Sequence, residues 1–102
     1  MHRYTTPTLP VTISDIDFSD VSLFRVKIKQ DNIEMLKVVE ADDPSVDAQH
    51  KIIYLPLTQK ETASLKKGGV QIQARIKFTN GSVLATNKAA LTVEDVLDEV
   101  II

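Results

Sequence analysis

The chain predicts an all-antiparallel, mostly-β fold: a single two-sheet sandwich with one short helical turn. Three observations carry that prediction. Residues Val70, Ile72, Ala74, Ile76 and Phe78 are apolar at every second position, alternating with Gln71, Gln73, Arg75 and Lys77. That is the period of a strand with one face buried. Asn80-Gly81 follows directly, a pair that favours a tight reversal because both residues tolerate positive φ. Several further short apolar runs are separated by turn signals at regular spacing, which suits stacked antiparallel sheets rather than helices.

From the N-terminus, Thr5 to Pro10 holds two prolines and three threonines, which suits an extended arm or an edge strand better than a helix, and residues 1–8 are read as the arm. Leu9, Val11 and Ile13 then alternate with polar or small neighbours as a half-buried strand. Ser14 to Asp20 is a turn around Ile16 and Phe18. In Leu23 to Gln30, Phe24, Val26 and Ile28 face one way, and Arg25, Lys27 and Lys29 the other. Asp31-Asn32 reverses the chain into a return strand, Ile33 to Val39. Leu36 and Val38 lie on one face of it and Met35 and Val39 on the other, so the pattern leaves its register open and places it at a sheet edge. A polar loop, Glu40 to His50, leads into Lys51 to Leu57, where Ile53, Leu55 and Leu57 share a face.

Thr58 and Glu61 have the spacing of a capping box, predicting a helical turn over about 59–65 that ends before Gly68-Gly69. After Asn80-Gly81, a two-residue reversal would pair Phe78 with Val83 and Ile76 with Ala85. Ala89, Leu91 and Val93 keep that parity while Asn87 breaks it, so a bulge is expected near Asn87. The sandwich domain thus spans 9–93, followed by an acidic amphipathic segment over 94–102. There Val93, Val96, Leu97, Val100 and Ile101 fall at helical spacing, opposite Glu94, Asp95, Asp98 and Glu99. Helix is one reading; strand is the other, because valine and isoleucine are good strand formers.

Composition bounds the function. At 102 residues, 43% of them hydrophobic, the chain makes one domain with one modest core. A net charge of −2 and 5% aromatics give no general attraction for nucleic acid and few stacking surfaces. No apolar run is long enough to span a bilayer, and the opening Met1-His2-Arg3-Tyr4-Thr5-Thr6-Pro7 lacks a signal peptide's apolar core. Cytoplasmic or virion location is expected. Cysteine is absent, so disulfides and thiolate metal sites are excluded.

No motif for a reaction emerges. His2 and His50 belong to no nucleophile or metal pattern, and Gly-x-Ser-x-Gly and phosphate-loop signatures are missing. Asp15, Asp17 and Asp20, like Asp42, Asp43 and Asp47, lack the glycine that lets a calcium loop bend, and read as turn acids. The expectation is a non-enzyme without cofactor or metal, acting on a protein partner or on itself.

Two surfaces are candidates for that work. If the strands around Phe24 and Ile76 are neighbours, Arg25, Lys27, Lys29, Arg75 and Lys77, with Gln71 and Gln73, share one outward face. It serves as a solvated face whose aliphatic stems cover the sheet, or it receives an acidic partner. The second surface is Val96, Leu97, Val100 and Ile101, which docks on its own sandwich, on a neighbouring subunit or on a partner, or stays free. Its acids complement the basic face, which favours self-association.

The order of elements resembles immunoglobulin-like and fibronectin-III-like sandwiches. Leu57-Thr58-Gln59-Lys60-Glu61-Thr62, Val70-Gln71-Ile72-Gln73-Ala74-Arg75-Ile76 and Asn80-Gly81-Ser82-Val83-Leu84-Ala85-Thr86-Asn87 look like a small family encoded in phages and prophages of Gram-positive bacteria. The resemblance runs from about Thr5 through Leu97-Asp98-Glu99-Val100-Ile101. It implies a virion structural or accessory role and supplies no catalytic or ligand residues. A binding module that recognises a host surface component or partner through the Glu40–His50 loop is the alternative, and a small regulator of a bacterial complex is also open.

Overall fold

The computed structural model describes all residues from Met1 to Ile102. Eight strands and one short helix follow one another as β1 (Thr8–Thr12), β2 (Val21–Gln30), β3 (Ile33–Glu40), β4 (Val46–Asp47), β5 (Ile52–Pro56), α1 (Gln59–Ser64), β6 (Gly68–Phe78), β7 (Val83–Ala85) and β8 (Ala89–Val93). They form two antiparallel sheets packed as a small sandwich. One sheet has the order β1-β5-β4; the other runs β3-β2-β6, with β7 and β8 sharing the far edge of β6. No helix is long and apolar enough to cross a membrane.

The alternation read from the sequence decides which faces meet. Phe24, Val26 and Ile28 of β2 and Val70, Ala74 and Ile76 of β6 turn inward against Leu9, Ile53, Leu55 and Leu57 of the opposite layer, and all are buried. Phe24 pairs with Ile76 and Val26 with Ala74 across the β2–β6 ladder, so the apolar rows coincide. Removing these side chains from water supplies the main driving force. Phe18 sits in a 3-10 turn, Phe18–Asp20, and its ring centroid lies 5.0 Å from that of Phe24, closing one end of the core.

Loop chemistry matches the local needs. Gln30 opposes Ile33, so Asp31-Asn32 is a two-residue reversal, with Asp31 at φ 51°. Thr58 Oγ1 accepts from the Glu61 N–H at 3.1 Å and Glu61 Oε1 accepts from the Thr58 N–H at 3.0 Å, completing the capping box. Asp17 Oδ1 accepts from the Ser19 N–H and hydroxyl, and Asp43 Oδ1 likewise from Ser45. These acids stitch their own turns.

The hairpin after β6 differs from the sequence expectation. Lys77 pairs with Val83, Ile76 with Leu84 and Arg75 with Ala85, one residue out of the anticipated register. The Gly81 N–H donates to Phe78 O and the Phe78 N–H to Ser82 O, so Thr79, Asn80 and Gly81 form a three-residue loop with Gly81 at φ 90°. Such a loop ends in a left-handed residue, which glycine supplies without strain, and Asn80 is occupied by accepting from Ser82. Val83 therefore turns to the outer face, where it is 46% exposed. The slip is undone at the interruption expected near Asn87. Between the Arg75–Ala85 and Ile72–Ala89 pairs, Gln73 and Ala74 oppose three residues, Thr86, Asn87 and Lys88. Thr86 fills the gap: its N–H donates to Ala74 O, and its hydroxyl accepts from the Ala74 N–H at 3.0 Å. Leu91 and Val93 then pack on the core, and Ala89, paired with Ile72, shares their face but stays exposed.

The helical reading of 94–102 is not realised. Past β8, only Glu94 makes a β-bridge, and no helix follows. Val96, Val100, Ile101 and Ile102 are β-branched and lose side-chain freedom in a helix, and so short a segment cannot nucleate one unaided. The first residues of the N-terminal arm lie along the chain that leaves β8. The Arg3 N–H donates to Glu94 O and the Glu94 N–H to Met1 O, prolonging the edge beyond β8.

Candidate functional site

The outward face of the five-stranded sheet is laid out in four rows across β3, β2, β6 and the edge strands. Glu40, Leu23, Lys77 and Val83 form the first, and Val38, Arg25, Arg75 and Ala85 the second. Leu36, Lys27 and Gln73 form the third; Glu34, Lys29, Gln71 and Ala90 the fourth. The five cations expected to share a face do share it, because β2 and β6 are neighbours paired in phase. Leu36 and Val38 lie among them, which settles the face of β3 that the sequence left open.

The rows differ in electrostatics. Lys29 stands opposite Glu34, and Glu34 also reaches Lys27, with N···O separations of 3.7 and 3.6 Å. That end of the face is partly neutralised: its depression is lined by Lys27, Lys29 and Lys88 together with the carboxylates of Asp31 and Glu34. Arg25, Arg75 and Lys77 make no ion pair within the chain. They surround a shallow depression of about 420 Å³ completed by Leu23, Val38 and Val83, with no carboxylate in its lining. Like charges directly opposed across a ladder are unfavourable. The patch is therefore cationic, partly apolar and unneutralised.

The reverse side of the same sheet carries a different arrangement. Lys37, on the inward face of the β3 edge, reaches Glu61 of α1 with Nζ–Oε2 at 2.6 Å. Burial alone pushes the Glu61 carboxyl up, but the hydrogen bonds from Lys37 and from the Thr58 N–H outweigh it and bring it below the usual carboxylate range. An inward lysine also makes β3 a poor template for strand addition. Gln30, nearly fully buried, donates to Lys66 O at 2.7 Å and accepts from the Lys66 N–H at 2.6 Å, fixing the entry to β6.

Of the C-terminal candidates, Val96 is half-buried, whereas Leu97 is fully exposed and Val100 and Ile101 are more than half exposed. The segment is held by polar contacts. Arg3 Nη1 donates to Asp95 Oδ1 at 3.0 Å and to Glu99 Oε1 at 3.5 Å, while its Nη2 donates to Ala63 O at 2.8 Å. The Asp95 hydrogen bond holds the guanidinium above its ordinary range, against the opposing effect of burial. Gln59 bonds both backbone groups of Ile102. Arg3 and Gln59 were not among the sequence candidates. A lone arginine in a polar N-terminal stretch gives no periodic signal, and its acceptors lie 60 to 96 residues away in the chain.

The loop offered as an alternative binding site is already engaged with itself. Asp47 accepts from the His50 ring at 2.8 Å and from the His50 N–H at 3.1 Å, which lowers its carboxyl. Asp43 is lowered chiefly by the Ser45 N–H. Only Asp42 of the three has no such role. Set against family models, curated proteins and solved structures, the chain matches none.

Proposed function

We propose that this chain is a non-catalytic assembly protein acting through protein–protein contacts, with the Arg25–Arg75–Lys77 patch as its contact surface. The observation that carries the reading is the direct opposition of Arg25 and Arg75, with Lys77 beside them and none of the three in an ion pair, in a chain of net charge −2. Such a patch costs the isolated domain stability and gains it back against an acidic, partly apolar partner. Leu23, Val38 and Val83 give that partner apolar surface to cover. The setting, a phage or prophage particle, and the immunoglobulin-like reading of the sandwich rest on the pattern resemblance of the segments around α1, β6 and the Asn80-Gly81 loop. A partner gripped by arginines on an exposed sheet fits a structural protein in the cytoplasm or virion better than recognition through the Glu40–His50 loop, whose Asp43 and Asp47 are spent on their own turns.

Mass spectrometry of purified particles tests this. The chain should be present in them, and a chain carrying R25E and R75E should be missing or depleted. That double substitution keeps two like charges opposed, so it reverses the sign of the patch while leaving its cost to folding similar. Absence of the parent chain from particles, or unaltered incorporation of the variant, refutes the reading.

A further inference from the structure

Resting on the reading of the outer face as a contact surface, we propose that its occupant is the C-terminal segment, residues 94–102, of a second copy of this chain. The segment has the composition the patch demands. Four acids, Glu94, Asp95, Asp98 and Glu99, alternate with Val96, Leu97, Val100, Ile101 and Ile102. Leu97 is fully exposed and Ile102 is 92% exposed, so its own fold leaves this apolar surface in water. Glu94 and Asp95 are held within the chain by His2 and Arg3, each at 3.0 Å, whereas Asp98 makes no ion pair and Glu99 reaches Arg3 only at 3.5 Å, so the acids offered to a neighbour are the distal two.

The geometry points to another copy rather than to the chain's own face. Gln59 of α1 bonds both backbone groups of Ile102, and Glu61 of α1 pairs with Lys37, which lies on the inward side of β3. Val38, on the same strand, lies on the opposite side, in the row of Arg25 and Arg75. The segment is thus tethered on the side of the sheet away from the patch and cannot cover it while these contacts hold. Its exposed side chains are free to meet a neighbour. Copies of net charge −2 repel as wholes, so the attraction is local to patch and tail and weakens with salt.

The test is the mass in solution of the full chain by sedimentation and light scattering, at low salt and at about 0.5 M salt, where screening is nearly complete beyond contact distance. The parent should form pairs or longer assemblies at low salt and dissociate at high salt. L97D/V100D removes the apolar half of the tail at exposed positions, and R25E/R75E reverses the patch; each alone should be monomeric with an unchanged circular-dichroism spectrum. An equimolar mixture of the two should recover association, because one retains the tail and the other the face. A parent that stays monomeric, a tail variant that associates like the parent, or a mixture that stays monomeric overturns the proposal. If the parent nonetheless enters particles in a manner sensitive to R25E/R75E, the contact-surface reading stands and only its occupant is wrong.

Discussion

Arg25 and Arg75 are directly opposed on β2 and β6, at the centre of a sheet face on which Lys27 and Lys29 share the single carboxylate of Glu34. The inner side of the same two strands pairs Phe24 with Ile76. One alternating pattern therefore builds the core on one side and a concentrated positive patch on the other.

Arg3 ties three parts of the chain together: the N-terminal residues, the end of α1 through Ala63 O, and the tail through Asp95 and Glu99. With its side chain only 18% exposed, Arg3→Ala should cost about 1.5–3 kcal/mol, the range for hydrogen bonds to charged groups. Arg3→Lys should recover little of it, since one ammonium cannot serve acceptors that the planar fork serves together. Urea unfolding gives the cost, and amide exchange over 94–102 should quicken in both variants. Unchanged exchange would mean the tail is held by other means.

The capping box and the three-residue loop are local devices with separable costs. Thr58→Ala should lose about 1 kcal/mol by freeing the Glu61 N–H. Gly81→Ala should lose about 1 kcal/mol by forcing a side chain onto a backbone at φ 90°, although nothing lies within 4 Å of the added atom. At this chain length each corresponds to a fall in melting temperature of roughly 4–8 °C. Because the two sites share no partner, the double variant should lose the sum.

Acid should destabilise the fold. Asp17, held low chiefly by the Ser19 N–H, together with Asp43, Asp47 and Glu61, titrates below its ordinary value in the folded chain. As pH falls through the ordinary carboxylate value of about 4, the unfolded chain takes up protons that the folded chain still refuses, so stability is present above that value and is lost below it. Melting temperature should be flat between about pH 5 and 7 and fall steadily below about pH 4. A melting temperature that holds or rises towards pH 3 would show that these turns contribute nothing.

The sandwich was legible where burial follows a strict period. Val70 to Phe78, Leu23 to Gln30 and Ile53 to Leu57 carry their apolar residues at alternate positions, and each strand lies as that pattern requires. The basic face was legible for the same reason, since strands paired in phase expose the intervening residues together. Two features were not. The hairpin register depended on whether Asn80-Gly81 was the whole loop, and Thr79 joined it, so Val83 and Leu84 exchanged faces. The tail had a helical spacing but no means of nucleating a helix, and its conformation is set by Arg3 and Gln59, residues remote in sequence whose role no periodicity reveals.

Arg25→Glu tests the central claim most directly, because it places a carboxylate opposite Arg75 and so relieves in the monomer the very repulsion that a partner is proposed to relieve. Urea unfolding of dilute protein should show a gain of about 0.2–1 kcal/mol, and the same variant should be depleted from purified particles. A variant less stable than the parent, or one that is incorporated as well as the parent, would contradict the account.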